Sequence, residues 1–231
     1  MTRRIVMVLV SVLALVGVLG AGEVAAGRGA LRPGARLVLV RHGESQANLD
    51  HQMAGRLNIP LTPKGRAQAR AVGKALRGFR FDKAYSSTRR RAGDTLAIAL
   101  RAAGQRVPTV RRSALDERAF GFLEGMTHAE ATTLFGADRL ARWRLSPDEG
   151  PPGGESMDDV ERRTVDLLDR EILPDLRAGK TVLVTSHKHT LRALMGHLDG
   201  LTQKELAALE VPNAEPIVYR VNRDGRLVRE R

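Results

Sequence analysis

The sequence predicts an α/β fold, a three-layer α/β/α sandwich with a mainly parallel sheet. Three observations predict it. Apolar runs of strand length alternate along the chain with amphipathic stretches of helix length. Two of the runs, Leu37–Val40 and Val182–Thr185, lack the alternation of a half-exposed strand, so both faces of the sheet are expected to be covered. The chain has 231 residues, 42% of them hydrophobic, enough for one sizeable core.

The elements follow in order. Residues 36–40 read as a buried strand. Thr62-Pro63 is an N-cap followed by a first-turn proline, which opens a helix through Leu76. "KAYS", residues 83–86, is a short strand. Residues 89–103 form a helix that Gly104 stops. A strand is expected at 107–111, and two helices at 127–135 and 137–144. "SPDEGPPGGES" is a loop by composition. A long helix is expected over 156–176, with Pro174 in its last turn. "TVLVTS", residues 181–186, is the second buried strand, followed by a helix over 190–198 and a last strand over 216–221. No internal repeat is visible.

Domain organisation starts with the N-terminus. Arg3-Arg4 precede the uncharged stretch "IVMVLVSVLALVGVLGAG", and the small-residue run Val24–Gly27 follows. This is the pattern of a secretory signal peptide cleaved after Ala26. The same stretch also reads as an uncleaved N-terminal membrane anchor, because its length is near the lower limit for crossing a bilayer. The chain is therefore expected to be exported, either secreted or envelope-bound, or else anchored. Residues 1–26 are the signal or anchor, 27–35 a Gly/Pro/Arg linker, and 36–231 the folded domain.

Composition narrows the function. There are no cysteines, which excludes disulfides, thiolate metal sites and a cysteine nucleophile. Net charge is +12, with 38 basic residues of which six are lysines. The basic residues are scattered and not interleaved with aromatics, which make up 3% of the chain, so no nucleic-acid partner is expected. The field instead suits a small anionic substrate.

In a parallel sheet the site lies beyond the carboxyl ends of the strands. Two buried strands each end within a few residues of a histidine, His42 and His187, so both imidazoles are expected over one pocket. A neutral imidazole is a competent nucleophile toward phosphorus. Guanidiniums such as Arg41 would disfavour its charged form and would also match phosphate oxygens. Gly43 would let the backbone approach a phosphate closely. Glu117, in "LDERAFGFLEG", is the candidate acid, with partial burial expected to raise its pKa. The arginines 89–91 stand at a helix start, where a cationic cluster is unfavourable unless an anion sits there. His187 and His189 form a weak metal signal; no metal is expected, and His189 is assigned to solvent or the pocket rim. Asp116 is a candidate for orienting Arg118.

"LVRHGESQAN", "IPLTPKGRAQA", "SSTRRRAGDTL", "LDERAFGFLEGM" and "PGGESMDDVERR" resemble the ordered motifs of the histidine phosphatase superfamily. The segment from Glu171 to Val221 resembles its phosphoglycerate mutase branch. The resemblance is collinear from about Leu37 to Val221. It implies a phosphoglycerate mutase-like fold and phosphoryl transfer through a phosphohistidine at His42. Arg41, Arg91 and His187 would surround the phosphoryl group, and Glu117 would donate and accept the proton. Ser45, Asn48, Gly55, Arg118 and Lys188 would meet the substrate, a small phosphorylated metabolite.

The departures are as informative as the matches. The family usually writes Gly-Asn after its second histidine, where this chain has Lys188-His189. Ala47 replaces an aromatic, Phe120 a tyrosine and His128 a lysine, and the segment between Trp143 and Gly153 is short. The transfer core is kept while the residues around the substrate are altered. Two activities therefore stand side by side. One is phosphoglycerate isomerisation primed by 2,3-bisphosphoglycerate, and the other is hydrolysis of small phosphomonoesters by an exported phosphatase. An inactive domain that binds phosphorylated ligands is a third expectation. The retained His42, Arg41, Arg91, Glu117 and His187 argue against it.

Overall fold

The computed structural model describes residues 29–230. The expected signal or anchor, residues 1–26, lies outside the described residues. The described part of the linker is held against the sheet: the Gly34 N–H donates to the Val221 carbonyl at 2.9 Å, and Arg177 Nε to that of Gly29 at 2.8 Å.

Strand β1 (Arg36–Arg41) shows how the sequence builds the layers. Successive side chains point to opposite faces of a strand. Leu37 and Leu39 enter one core, with Leu167, Ile172, Leu176, Leu191 and Leu194. Val38 and Val40 enter a second, with Val72, Leu76, Leu96 and Leu100. Each such side chain, fully buried, contributes roughly 1.5–3 kcal/mol. The continuous apolar run follows from having to fill both cores.

Helices α2 (Pro63–Ala75) and α3 (Arg90–Ala103) cover the second face. They approach closely at Gly73, where a Cβ would collide with the Ala99 carbonyl. The short helix α1 (Gln46–Leu49) precedes them and was not expected. The first face is covered by α6 (Met157–Leu167), α7 (Leu173–Arg177) and α8 (Lys188–Asp199). Between the two layers runs a six-stranded sheet in the order β3-β2-β4-β1-β5-β6. The strands β2 (Lys83–Ser86), β3 (Thr109–Arg111) and β4 (Thr181–Ser186) join β1 in parallel. Strand β5 (Pro216–Val221) pairs antiparallel with β1, and β6 (Leu227–Arg229) antiparallel with β5, so the sheet is mixed. Helices α4 (His128–Phe135) and α5 (Ala137–Leu145) form a small third core, with Met53, Leu123, Ala131 and Trp143, above the carboxyl ends of the strands.

Several expectations are corrected. The long helix over 156–176 is interrupted by a π-helical stretch, Leu168–Ile172. Pro174 lacks the N–H that the carbonyl four residues earlier needs, and its ring crowds that carbonyl, so the preceding turn widens. The third strand starts at Thr109, not Val107, because Pro108 cannot donate to the ladder. The helix after β4 starts at Lys188 and ends at Asp199. Helix α9 (Gln203–Ala208) was missed although its capping box, Thr202 with Glu205, is written in the sequence. Strand β6 was missed because it is three residues long and mostly exposed.

Candidate active site

The parallel register of β1 and β4 sets Arg41 opposite Ser186. The residues that follow, His42 and His187, emerge side by side at the carboxyl edge. Their ring centroids are 5.0 Å apart and inclined at 60°. Both are buried, at 3% and 0% exposure. Backbone bonds hold the turn: the His42 N–H donates to the Ser186 carbonyl at 3.0 Å, and Asn213 Nδ2 to the His42 carbonyl at 2.7 Å.

The two nitrogens of His42 have distinct partners. Nδ1 donates to the Gly43 carbonyl at 2.7 Å, which places the proton there and leaves a lone pair on Nε2. Arg91 Nε donates toward that lone pair at 3.3 Å. Burial, then the Arg91 and Arg41 guanidiniums, push the His42 pKa down to about 3, so the imidazole is neutral across the physiological range. The expectation of an unprotonated His42 beside guanidiniums agrees with this geometry.

Arg91 is 1% exposed and clamped by its outer nitrogens on the carbonyls of Leu57, at 2.7 Å, and Gly55, at 2.8 Å. Gly55 thus reaches the site through its carbonyl. Arg41 donates from Nη1 to the Val211 carbonyl at 2.8 Å, while its buried Nε has no partner. Of the three arginines at the start of α3, only Arg91 enters the site. Arg89 pairs with Asp116 at 2.7 Å and Arg90 with Asp94 at 3.3 Å. The anion expected at this helix start is the protein's own Asp116, which also accepts from the Thr88 N–H at 2.7 Å. Asp116 therefore does not orient Arg118.

Asp116 instead supports His187. Ser87 Oγ donates to Asp116 Oδ1 at 2.8 Å, so it accepts from His187 Nε2 at 2.8 Å. That fixes the neutral tautomer and leaves Nδ1 buried and unpartnered. Burial, then Arg91 and His42, hold the His187 pKa well below the usual histidine range. The chain Asp116–Ser87–His187 escaped sequence reading, as did Asn213 and Thr95, whose Oγ1 accepts from the Gly43 N–H at 3.0 Å. The serine stands in "SSTRRR", but nothing in that string says which hydroxyl turns inward. Gly43 is also reassigned. A Cβ there would collide with the Gly65 carbonyl, so its bareness serves contact with α2 rather than approach to a phosphate.

Glu117 is 7% exposed, and its Oε1 accepts from the N–H groups of Arg118, at 3.0 Å, and His189, at 3.2 Å. Its pKa reverses the expectation. Burial pushes the carboxyl up, but the neighbouring His189, then His187 and Arg91, outweigh it and hold it well below the ordinary value. His189 is likewise not a rim residue: its Nδ1 lies 3.5 Å from Glu117 Oε1.

Arg41, His42, Arg91, Glu117 and His189 open on one cleft of about 750 Å3, while His187 is packed against the His42 ring and is not among the lining residues. Arg41, His42, Arg91 and Glu117 line its floor, and Ser45, Asn48, Gly55, Arg118 and Lys188 also line it. Ser45 and Asn48 are bound to each other as the capping box of α1. Arg118 is buried, its guanidinium tied to the carbonyls of Glu155 and Trp143. Lys188 pairs with Glu210 at 3.1 Å. Arg144 and Arg192 complete the cationic part of the outer wall, His51 and His128 also line it, and Phe120, Leu140 and Trp143 form its apolar part.

A family model described as histidine phosphatase superfamily (branch 1) matches residues 37–231. A 2,3-bisphosphoglycerate-dependent phosphoglycerate mutase of Methylobacterium sp. is 42% identical over 191 residues, covering 81% of this chain and 92% of the relative. A protein of Gloeobacter violaceus named as the same kind of mutase is 40% identical over 192 residues, covering 83% and 88%. Among solved structures, a mycobacterial glucosyl-3-phosphoglycerate phosphatase is similar with a TM-score of 0.72 at 29% identity, covering 85% of this chain and 98% of that one. A putative alpha-ribazole-5'-P phosphatase from Escherichia coli is similar with a TM-score of 0.74 at 27% identity, covering 85% and 95%.

Proposed function

The chain belongs to the histidine phosphatase superfamily, and on that premise we propose that it transfers phosphoryl groups through a phosphohistidine at His42. One observation carries the reading: a buried imidazole, neutral by environment, keeps Nε2 unprotonated beside two guanidiniums, of which Arg91 donates toward it at 3.3 Å. The phosphoryl dianion of a small metabolite binds between Arg41 and Arg91, whose charges burial has left underpaired. His42 Nε2 attacks phosphorus in line with the leaving oxygen. The Gly43 carbonyl, accepting from Nδ1, stabilises the positive charge that grows on the ring. The entering dianion favours a proton on His187 Nδ1, turning that atom into a donor to a phosphoryl oxygen. Glu117 delivers a proton to the leaving oxygen and recovers one from the acceptor in the second half-reaction.

The acceptor decides the net reaction. The first reading is a phosphoglycerate mutase primed by 2,3-bisphosphoglycerate. Its support is the identity of about 40% to proteins bearing that name, together with the outer cations Arg144, Lys188 and Arg192, which suit a second anionic group on the substrate. The second reading is a phosphatase. A cleft of about 750 Å3 is of the size that holds drug-sized ligands, so a three-carbon acid leaves room for water to reach the phosphohistidine. The similar solved structures named as phosphatases support it too. Export, through the N-terminal pattern at residues 1–26, is part of the proposal and fits hydrolysis better than glycolysis.

Incubation with 3-phosphoglycerate, with and without 2,3-bisphosphoglycerate, separates the readings. Formation of 2-phosphoglycerate that depends on the bisphosphate identifies the mutase. Free phosphate without isomer identifies the phosphatase.

A further inference from the structure

An ionised carboxylate has no proton to give, and the surroundings of Glu117 favour its ionised form. The reaction proposed above nevertheless needs a proton at the leaving oxygen. The nearest side chain able to hold one beside Glu117 is His189, at the position where the family usually carries Asn. Its backbone N–H donates to Glu117 Oε1 at 3.2 Å, and its Nδ1 lies 3.5 Å from the same oxygen. That Nδ1 is buried without a hydrogen-bond partner, and the imidazole meets the Phe120 ring edge-on at a centroid distance of 5.3 Å. Helix α8 fixes the backbone, because Thr190 next along donates to the Asp116 carbonyl at 2.6 Å. Histidine is the side chain that ordinarily exchanges a proton between pH 5 and 8.

We propose that His189 is a positioning residue for proton transfer, storing on Nδ1 the proton that Glu117 hands to the leaving oxygen and takes back from the acceptor. The inference rests on the phosphohistidine reading of His42. The steps balance. In the first half-reaction the bond from phosphorus to the leaving oxygen breaks and the bond to His42 Nε2 forms. The leaving oxygen takes a proton from the Glu117 carboxyl, which has received it from His189 Nδ1, and His189 ends neutral. In the second, the oxygen of water or an acceptor hydroxyl bonds to phosphorus as the bond to His42 breaks. Its proton passes to Glu117 and back to His189.

The charges around the pair are consistent with such a store. Among the described residues, Glu117 is the carboxylate paired with His189, at 3.5 Å. The charged and titratable groups nearby come from the elements around the cleft: Arg41 at the end of β1 and the neutral His42 after it, Arg91 on α3, His128 on α4, Arg144 on α5, the neutral His187 before α8, and Lys188 and Arg192 on α8. Arg118 is tied to backbone carbonyls and Lys188 and Arg192 to Glu210. A phosphoryl dianion on the floor of the cleft offsets the rest and draws a proton onto the Glu117–His189 pair as substrate binds.

The test compares phenyl phosphate, whose leaving group needs a proton, with p-nitrophenyl phosphate, whose leaving group departs as the anion. For His189→Gln, kcat/KM on phenyl phosphate is expected to fall by about 100-fold, at the low end of general-acid contributions, and to lose its dependence on pH between 5 and 8. On p-nitrophenyl phosphate the change should stay within about 3-fold. In a Glu117→Gln background the same replacement should add nothing, because the two residues act as one unit. An equal fall on both substrates with an unchanged pH profile would overturn the proposal, as would full activity on both. Should the glutamine variant not fold, His189→Asn carries the same expectations. If His42→Ala still turns over either ester, the phosphohistidine reading fails first, whatever His189 does.

Discussion

Two buried polar clusters sit at opposite ends of the same sheet, and they are built to opposite rules. At the amino ends of β2 and β4, Asp175 accepts from the Tyr85 hydroxyl at 2.7 Å, from Lys180 at 2.7 Å and from Lys83 at 2.8 Å. Every charge there has its partner. At the carboxyl ends, the half-buried Arg41 and the buried Arg91 flank two neutral histidines, and Arg41 Nε and His187 Nδ1 are buried without a partner. Burial of charge is costly, and a fold that leaves it uncompensated keeps a place for a ligand of opposite sign. The closed cluster joins a strand to a helix, whereas the open one is set up to receive an anion.

The largest test of that contrast is His42→Ala. Turnover should fall by more than about 10^4-fold, as when a nucleophile is removed, while the thermal transition and circular dichroism keep their form. Activity that survives at the original level breaks the assignment of the open cluster.

Asp175→Asn is the matching test at the closed end. Two partly exposed ammonium groups then face an amide, at a cost of about 3 kcal/mol, the upper end for losing hydrogen bonds to a charged group. For a chain of this size the melting temperature should drop by roughly 6–12 °C. The kcat/KM of the folded variant should stay within about 2-fold, and a catalytic loss as large as that of His42→Ala would erase the distinction.

A smaller effect should appear with pH. The folded-state pKa values of His42 and His187 are depressed below their unfolded values. The unfolded chain therefore binds more protons below about pH 6.5, and stability falls as pH drops through that value, by at most about 1.4 kcal/mol per unit for each imidazole. Melting curves from pH 7 to pH 5 measure it. The slope should be shallower in His42→Ala, and an unchanged slope would place the acid sensitivity elsewhere.

Legibility differed between the same two ends. The open cluster could be read in part: His42 and His187 each follow a buried strand, and the topology rule brings such ends together. Arg91 came from its motif position, not from any physical signal that separates it from Arg89 and Arg90. The closed cluster was invisible, because Lys83, Tyr85, Asp175 and Lys180 are ordinary residues whose meeting depends on how α7 lies on the sheet. The same holds for Ser87, Asp116, Thr95 and Asn213 in the site. Each belongs to a different segment, and no local pattern announces a hydrogen bond across 29 or 171 positions.

By itself the sequence determined the layer order, the two buried strands and the pair of histidines at their ends. Those follow from the period of apolar residues and the handedness of parallel connections, which act over a few residues or one crossover. The tertiary structure alone decided the protonation of the site. It made His42 neutral by burying it between Arg41 and Arg91, and it held Glu117 ionised by bringing His189, His187 and Arg91 around it. Burial and charge separation are properties of distance in space, and a carboxyl that sequence expects to be raised by an apolar loop can be lowered by His187 after β4, His189 on α8 and Arg91 on α3.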